Sequence, residues 1–205
     1  MRGDVSREAA VFLDRDGVIV EDPGHLHRPE DLRVLPGAVE SIRELRRAGF
    51  KVIVVTNQSA VARGLLTEQD LAALHASMAE QLARGGAMLH DILYCPHHPE
   101  GLGAYAIACE CRKPAPGMLL AAQARHGLDL ARSFLVGDQL SDVAAAHRAG
   151  CRPILVRPPG GGNLRSAAGP LEVPETICAD LREAARYILS RGANEGLAAG
   201  AGRDE

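Results

Sequence analysis

The sequence is poor in aromatic residues and in lysine. Its 205 residues include no Trp, three Tyr and three Phe, so a base-stacking platform for single-stranded nucleic acid is not expected. The formal net charge of −3 likewise supplies no basic face for a nucleic-acid groove. Among the 23 basic residues only Lys51 and Lys113 are lysines. A lysine within a motif is therefore more informative here than it would be in a lysine-rich chain.

Long hydrophobic runs are also missing. No apolar stretch approaches the roughly 20 residues that cross a bilayer, and residues 1–8 are too polar for a signal peptide. We therefore expect a cytoplasmic protein that contacts neither membrane nor nucleic acid. The length predicts a single domain, over residues 1–191, and a monomer. The Gly- and Ala-rich segment 192–205 is expected to be a disordered tail.

Strand and helix patterns alternate along the chain. This alternation predicts an α/β fold, with a Rossmann-like, mostly parallel sheet that helices cover on both faces. Apolar runs predict strands at 9–13, 50–55, 89–94, 133–136 and 153–156. Apolar spacing and capping residues predict helices at 36–49, 67–84, 117–126, 141–149 and 179–190. Only about 20 residues separate Asp16 from the helix at Pro36, too few for a large cap domain.

Short polar residues follow three of the predicted strands. Asp14 and Asp16 follow the first, residues 56–59 end the second, and Asp138 follows a third. The carboxyl ends of parallel strands share one edge of the sheet, where ligands bind. Clustered carboxylates favour Mg²⁺, and a carboxylate can also attack phosphorus. Taken singly, each aspartate could instead form a turn or a helix cap.

Three of the five cysteines lie close together in a segment with little periodicity. Cys95 and His97 are followed, after 11 residues, by Cys109 and Cys111. Three thiolates and one imidazole make a closed tetrahedral set that is typical of structural zinc. The insert 95–111 is therefore predicted to be a zinc-binding loop, with His98 as the alternative nitrogen ligand. The two other cysteines, Cys151 and Cys178, are interpreted as packing residues.

Four short segments, in this order, resemble the motifs of the haloacid dehalogenase superfamily of phosphatases. They are DRDGV (14–18), TN (56–57), Lys113 and GD (137–138). The resemblance implies that Asp14 is the nucleophile and that Asp16 protonates the leaving oxygen and later activates water. Mg²⁺ would be held by Asp14, by the backbone carbonyl of Asp16 and by Asp138. Thr56 and Lys113 would bind the phosphoryl group, and Asp142 would support this set.

The segments TNQSAVARG (56–64), CPHHPEG (95–101) and CRKPAPGM (111–118) narrow the resemblance. They are similar to the D-glycero-D-manno-heptose 1,7-bisphosphate 7-phosphatases, whose relatives include the histidinol-phosphate phosphatases. The resemblance implies a sugar-phosphate substrate contacted by Asp22, Pro23, Gly24, His25, Thr56, Asn57, Gln58, Ser59, Arg63 and Arg112. Val18, Ala60 and Gln139 depart from the commonest residues of the pattern, and Gln139 stands where some members carry Lys.

The sequence therefore predicts a Mg²⁺-dependent phosphatase with a structural zinc ion. Loss of the 7-phosphate from heptose bisphosphate, on the route to nucleotide-activated heptose for a surface polysaccharide such as lipopolysaccharide, is the preferred reaction. Histidinol-phosphate phosphatase, or another small phosphomonoester phosphatase, is the alternative enzyme. A catalytically idle zinc-loop binding module is the alternative outside enzymes.

Overall fold

The centre of the protein is a six-stranded parallel sheet. The structure, a computed structural model, describes residues 8–22, 24, 26–157 and 173–194, with side chains up to residue 191. The strands are β1 (Ala10–Leu13), β2 (Lys51–Asn57), β3 (Asp91–Cys95), β4 (Phe134–Gly137), β5 (Arg152–Val156) and β6 (Thr176–Cys178). Their spatial order is β3-β2-β1-β4-β5-β6. The predicted α/β fold class is confirmed.

Helices cover both faces of this sheet, as expected when parallel strands are joined by crossover connections. They are α1 (Ala38–Arg47), α2 (Ser59–Ala62), α3 (Glu68–Arg84), α4 (Gly117–His126), α5 (Leu140–Ala149) and α6 (Leu181–Asn194). Apolar residues of α1, α3 and α6 pack in one core cluster with Val11 and Leu13 of β1. Residues of α4 and α5 pack with Phe12 on the other face. None of the helices within the described residues is long and apolar enough to cross a membrane.

The strand order reverses direction at β1. The chain runs from β1 outward through β2 to β3, and then returns to place β4 on the other side of β1. At such a switch point the loops after neighbouring strands diverge and leave a crevice. The residues that follow β1, β2 and β4 therefore meet in one place, although they come from distant parts of the sequence.

A small hairpin connects β1 to α1, and the described residues of this connection form no separate cap domain. The amide of Glu21 donates to the carbonyl of Arg33 at 2.9 Å, and the amide of Leu35 donates to the carbonyl of Ile19 at 2.9 Å. The turn at its base needs Gly17, which has a φ of 75°. A side chain at Gly17 would place its Cβ only 2.7 Å from Asp138 Oδ2.

Most predicted elements differ from the observed ones by a few residues at their ends, and α4 matches its prediction. The predicted cap of α3 is present, since the Thr67 hydroxyl accepts from the Asp70 amide at 3.1 Å. Among the described strands and α-helices, β6 and the short helix α2 were not predicted, and neither were three single 3₁₀ turns, at Pro29–Asp31, Gly103–Tyr105 and Leu130–Arg132. Most of the predicted loop at 157–174 and positions 195–205 lie outside the described residues.

Candidate active site

A polar cavity of 690 Å³ opens at the carboxyl ends of β1, β2 and β4. Every described residue that the sequence linked to phosphate, sugar or Mg²⁺ lines it. These are Asp14, Asp16, Asp22, Gly24, Thr56, Asn57, Gln58, Ser59, Arg63, Arg112, Lys113 and Asp138. The two remaining predicted contacts, Pro23 and His25, lie outside the described residues.

Asp14 lies at the floor of the cavity, directly after β1. Its Oδ1 accepts from the amide of Arg15 at 2.8 Å and lies 3.0 Å from Lys113 Nζ. Its Oδ2 accepts no hydrogen bond from the described residues, so one carboxylate oxygen is fixed and the other is available. Burial is the main cause that raises the pKa of Asp14 to about 7, although Lys113 counteracts it.

Lys113 is a buried cation held from three directions. Its Nζ donates to the carbonyl of Val55 at 2.8 Å and forms ion pairs with Asp14 at 3.0 Å and with Asp142 at 2.5 Å. Burial alone would lower the pKa of Lys113, but Asp14 and Asp142 raise it above its usual value. The ammonium group is therefore charged and fixed at the cavity floor, next to Asp14.

Asp138 approaches from the far side, after β4. Burial, assisted by Asp142, raises its pKa to about 6. Carboxylate oxygens of Asp14, Asp138 and Asp142 all lie within 4.8 Å of one another. The negative charges of these three carboxylates exceed the single positive charge of Lys113 beside them. Their oxygen atoms are the hard ligands that Mg²⁺ prefers. The residues present thus fit a divalent cation.

Asp16 is held differently, by a buried arginine. Arg15 is only 2% exposed, and it grips the Asp16 carboxylate with two hydrogen bonds, from Nε at 2.9 Å and from Nη2 at 2.8 Å. Gln58 adds a third, from Nε2 to Asp16 Oδ2 at 2.9 Å. The Asp16 side chain still keeps 25% of its surface exposed, within the cavity lining.

Two residues that were predicted to contact phosphate, Asn57 and Gln58, form side-chain hydrogen bonds with other protein groups. Gln58 donates its second N–H to the hydroxyl of Thr56 at 2.8 Å, which leaves the proton of that hydroxyl free to point elsewhere. Asn57 exchanges two hydrogen bonds with the backbone of Lys113, at 2.9 and 3.0 Å. In the structure, both amide side chains thus position neighbouring residues, while Thr56 retains a donor.

The four predicted zinc ligands come together. The sulfur atoms of Cys95, Cys109 and Cys111 lie 3.2–3.5 Å apart, and His97 Nδ1 lies 3.4 Å from Cys111 Sγ. These separations are close to those of four ligands around one tetrahedral zinc ion. All three cysteines are free thiols. Hydrogen bonds from Cys111 and Cys95 lower the pKa of Cys109 to about 7 against the effect of burial.

The alternative nitrogen ligand, His98, is not in this set. Its Nδ1 accepts from the amide of Glu100 at 3.1 Å, and the cluster contains His97 instead. The other two cysteines, Cys151 and Cys178, belong to the apolar core.

The insert is anchored to the body of the protein on two sides. Glu68, in the first turn of α3, accepts from Tyr94 at 2.6 Å and from Tyr105 at 2.7 Å. Toward the cavity, Arg112 donates to the carbonyl of His97 at 3.2 Å. The residue that precedes Lys113 is therefore bonded directly to the Cys–His cluster.

Sequence reasoning gave no role to Arg15, His75 or Ser141. Arg15 lies between two predicted catalytic aspartates immediately after an apolar strand, and that position was the available signal for it. His75, on the buried face of α3, lies 3.3 Å from Arg15 through its Nε2. Ser141 lines the cavity at the start of α5, and nothing in its sequence context distinguishes it.

Comparison with known proteins agrees with this geometry. Residues 11–89 match the family model of haloacid dehalogenase-like hydrolases, and residues 110–184 match a HAD-hydrolase-like model. A D-glycero-beta-D-manno-heptose-1,7-bisphosphate 7-phosphatase of Rhodopseudomonas palustris is 48% identical over 151 residues, which are 73% of this chain and 84% of that protein. The protein of the same name from Escherichia coli is 45% identical over 138 residues, 67% of this chain and 72% of that one.

A solved structure is similar as well. It is the D,D-heptose 1,7-bisphosphate phosphatase of B. bronchiseptica complexed with magnesium and phosphate. That structure superposes with a TM-score of 0.77 at 38% identity, covering 89% of this chain and 99% of its own. With this fold, this arrangement of aspartates and these relatives, the chain belongs to the haloacid dehalogenase-like hydrolases and, among them, to the family of the heptose 1,7-bisphosphate 7-phosphatases.

Proposed function

We propose that this protein removes the 7-phosphate of D-glycero-D-manno-heptose 1,7-bisphosphate through an aspartyl-phosphate intermediate. The observation that carries the proposal is the pairing of Asp14 with Lys113 at the floor of a polar cavity. It combines a carboxylate that has one free oxygen with a fixed positive charge beside it. Phosphoryl transfer needs this combination, because charge builds on the phosphoryl oxygens as the bond to the leaving group breaks.

In this reaction Asp14 Oδ2 attacks phosphorus, since Oδ1 is held by the Arg15 amide and by Lys113. Asp16 supplies a proton to the leaving sugar oxygen and then removes one from the water that hydrolyses the acyl phosphate. The hydroxyl of Thr56 and the ammonium group of Lys113 bind the oxygens of the transferred group. Backbone amides near Asn57 and Ser59, at the end of β2, complete this phosphate pocket, whereas the amide of Gln58 already donates to the carbonyl of Cys95 at 2.8 Å.

Mg²⁺ would be held by Asp14, by the carbonyl of Asp16 and by Asp138. When bound, it would neutralise phosphoryl charge and orient the phosphate toward Asp14. Asp142 contributes by holding Lys113 in place, and Gln139 donates to Asp138 Oδ2 at 2.9 Å. These two contacts hold Lys113 and the Asp138 carboxylate in position without involving the Mg²⁺ ion itself.

Zinc would be held by Cys95, His97, Cys109 and Cys111, and its role would be structural. A closed set of four protein ligands leaves no position for a reacting water. The loop leads directly into Arg112 and Lys113, and Arg112 already bonds to the carbonyl of His97. We therefore expect zinc to determine where these two basic side chains point.

The second phosphate of the substrate needs a cationic site away from Asp14. Arg112 and Arg63 both line the cavity, and their mutual repulsion contributes to lowering the pKa of Arg112, for which burial is the main cause. Two guanidinium groups that repel each other favour a doubly charged ligand between them. With Asp22 and Gly24 also lining the cavity, this arrangement suits a small bisphosphate. A monomeric, cytoplasmic enzyme is part of the proposal.

The Asp14→Asn variant tests the mechanism. An amide is a poor nucleophile, so turnover should disappear while the fold persists; normal turnover would refute the aspartyl-phosphate route. The substrate is tested by kcat/KM on heptose 1,7-bisphosphate and on histidinol phosphate side by side. A clear preference for the heptose is expected, and a preference for histidinol phosphate would favour the alternative enzyme.

A further inference from the structure

The guanidinium group of Arg15 has side-chain hydrogen-bond partners at all three of its nitrogens. Nε donates to Asp16 Oδ1 and Nη2 donates to Asp16 Oδ2. The second N–H of Nη2 reaches Gln58 Oε1 at 2.9 Å. Bidentate contacts of this kind fix direction as well as distance, because the fork and the carboxylate must be coplanar. Because only 3% of the side chain is exposed to solvent, this plane has little freedom to turn.

The remaining nitrogen of the guanidinium group, Nη1, faces His75 of α3, a residue that is only 7% exposed. Arg15 Nη1 lies 3.3 Å from His75 Nε2, and because a guanidinium can only donate, Nε2 must accept. Burial, with a contribution from Arg15, lowers the pKa of His75 to about 4. The imidazole is therefore neutral at physiological pH and acts as an acceptor that holds the far end of the fork.

The two oxygens of Asp16 are consequently not equivalent. Oδ2 accepts two hydrogen bonds, from Arg15 Nη2 and from Gln58 Nε2. Oδ1 accepts one, from Arg15 Nε. A carboxylate oxygen has two lone pairs in its plane, so Oδ2 is saturated and Oδ1 keeps one lone pair that no described residue uses.

We propose that Arg15 and Gln58 are positioning residues that anchor Asp16 through Oδ2 and present Oδ1 to the reacting atoms. This inference rests on the proposed function, in which Asp16 exchanges a proton. In the first step the Oδ1–H bond breaks and its proton passes to the leaving oxygen, while the phosphorus–oxygen bond to the sugar breaks and the bond to Asp14 forms. In the second step Oδ1 takes a proton from the attacking water as the water oxygen bonds to phosphorus. The bond between phosphorus and Asp14 breaks, which releases phosphate and restores the Asp14 carboxylate.

The test separates positioning of Asp16 from general support of the fold by changing the leaving group. An alkyl phosphate needs its leaving oxygen protonated, whereas nitrophenyl phosphate releases a stable anion without help. Release of the alcohol or phenol is followed in a single turnover with enzyme in excess, so that hydrolysis of the acyl phosphate does not limit the signal. Asp16→Asn is the reference: it should slow the alkyl ester by roughly 10²-fold or more and the nitrophenyl ester much less.

Arg15→Gln and Gln58→Met should reproduce that selectivity, with a loss on the alkyl ester of up to roughly 10²-fold, as small misplacements can cause. Arg15→Lys keeps the charge but loses the fork, and it should not restore the rate. Equal losses on both esters, or full rescue by Lys, would overturn the inference. If Asp16→Asn itself shows no selectivity, the assigned role of Asp16 fails instead.

A matched control is available at the start of β5 (Arg152–Val156). Arg152 also grips a carboxylate with two nitrogens, Nε at 2.8 Å and Nη2 at 2.5 Å from Glu175, but it does not line the cavity. Arg152→Gln should leave both rates unchanged. A selective loss in this variant would contradict the inference, since breaking any such pair would then suffice. Thermal unfolding of each variant checks folding, and Gln58→Met carries the test if Arg15→Gln does not fold.

Discussion

Asn57 and Lys113 are joined by two reciprocal hydrogen bonds. Asn57 Nδ2 donates to the carbonyl of Lys113 at 2.9 Å, and the amide of Lys113 donates to Asn57 Oδ1 at 3.0 Å. The side-chain amide of Asn57 thus forms with the backbone of Lys113 the same pair of hydrogen bonds that a residue of a neighbouring strand would form. It fixes the main chain of Lys113, at the end of the Cys–His insert, to the end of β2, where the phosphate pocket is expected.

Replacing Asn57 by Leu should therefore weaken both stability and turnover. Two backbone groups of Lys113 would lose their partners, which costs roughly 1–3 kcal/mol for each buried group left unsatisfied. We expect kcat to fall by about tenfold or more, because Lys113 loses its fixed position. Urea unfolding and steady-state kinetics measure the two effects. Gln81→Leu, which removes a surface amide with one 3.5 Å contact to Ser77, should change neither.

Removing the cation at the cavity floor should destabilise the protein strongly. In Lys113→Met, Asp14 and Asp142 remain buried without a counter-charge, and breaking a buried pair in this way costs about 3–5 kcal/mol. The free energy of unfolding, measured in urea with a chelator present, gives the size of the loss.

The double variant Lys113→Met/Asp142→Asn should be more stable than the sum of the single losses implies. Removing Asp142 as well takes away one of the stranded charges, so the coupling should exceed about 1 kcal/mol. Additivity to within about 0.5 kcal/mol would mean that Lys113 and Asp142 do not stabilise each other.

The stability of the protein should fall on acidification through His75. Its folded pKa of about 4 lies below its ordinary value of 6.5, so between these values the unfolded chain binds a proton that the folded protein does not. The stabilisation is therefore complete above pH 6.5 and is lost as the pH falls toward 4. The shift corresponds to about 3 kcal/mol.

The variant His75→Gln provides the comparison, since glutamine can still accept from Arg15 but does not titrate. Unfolding free energies of both proteins are read from urea curves at pH 7, 5.5 and 4. Between pH 7 and pH 4 that of the wild type should fall by about 3 kcal/mol more than that of the variant. Curves that stay parallel over this range would contradict a buried, neutral His75.

Removal of zinc from the insert 95–111 should alter the active site. We expect one equivalent of zinc in the purified protein and none in Cys109→Ser. The variant should also be cleaved faster by a protease between Gly101 and Arg112, and its KM for the bisphosphate should be higher. Metal analysis, limited proteolysis and kinetics measure these changes. Cys151→Ser, which removes a buried thiol outside the cluster, should retain the zinc. Unchanged rate and affinity without zinc would exclude the coupling.

The sheet was predictable because its central strands β1, β2 and β4 are nearly continuous apolar runs buried on both faces. The sixth strand was missed for a physical reason: Thr176–Cys178 is only three residues long, and its Ile177 is 58% exposed. An edge strand of this kind has neither the length nor the apolar pattern of a core strand. Helix α2, with four residues, is likewise too short for a helical periodicity to register.

The site was predictable where chemistry coincides with a strand end, as for Asp14, Thr56 and Asp138. The sequence could not show the directions of the side chains. A charged Arg15 between two aspartates is expected in solvent by its composition, and only the packing of β2 and α3 around it places it in the interior. The sequence likewise could not show what Asn57 and Gln58 bind, because a side-chain amide can form hydrogen bonds with a ligand or with a neighbouring protein group equally well.

The order of strands has a consequence for synthesis on the ribosome. β1 emerges early and can pair with β2, to which β3 is then added, but its other neighbour, β4, begins only at Phe134. Until then one edge of β1 has no partner, and an apolar edge of this kind invites pairing with other chains. The partly made protein already contains Asp14, Asp16 and Thr56, yet lacks Asp138. The chain therefore carries its nucleophile through most of its translation as an incomplete, inactive half-sheet, and the site is assembled only when β4 docks.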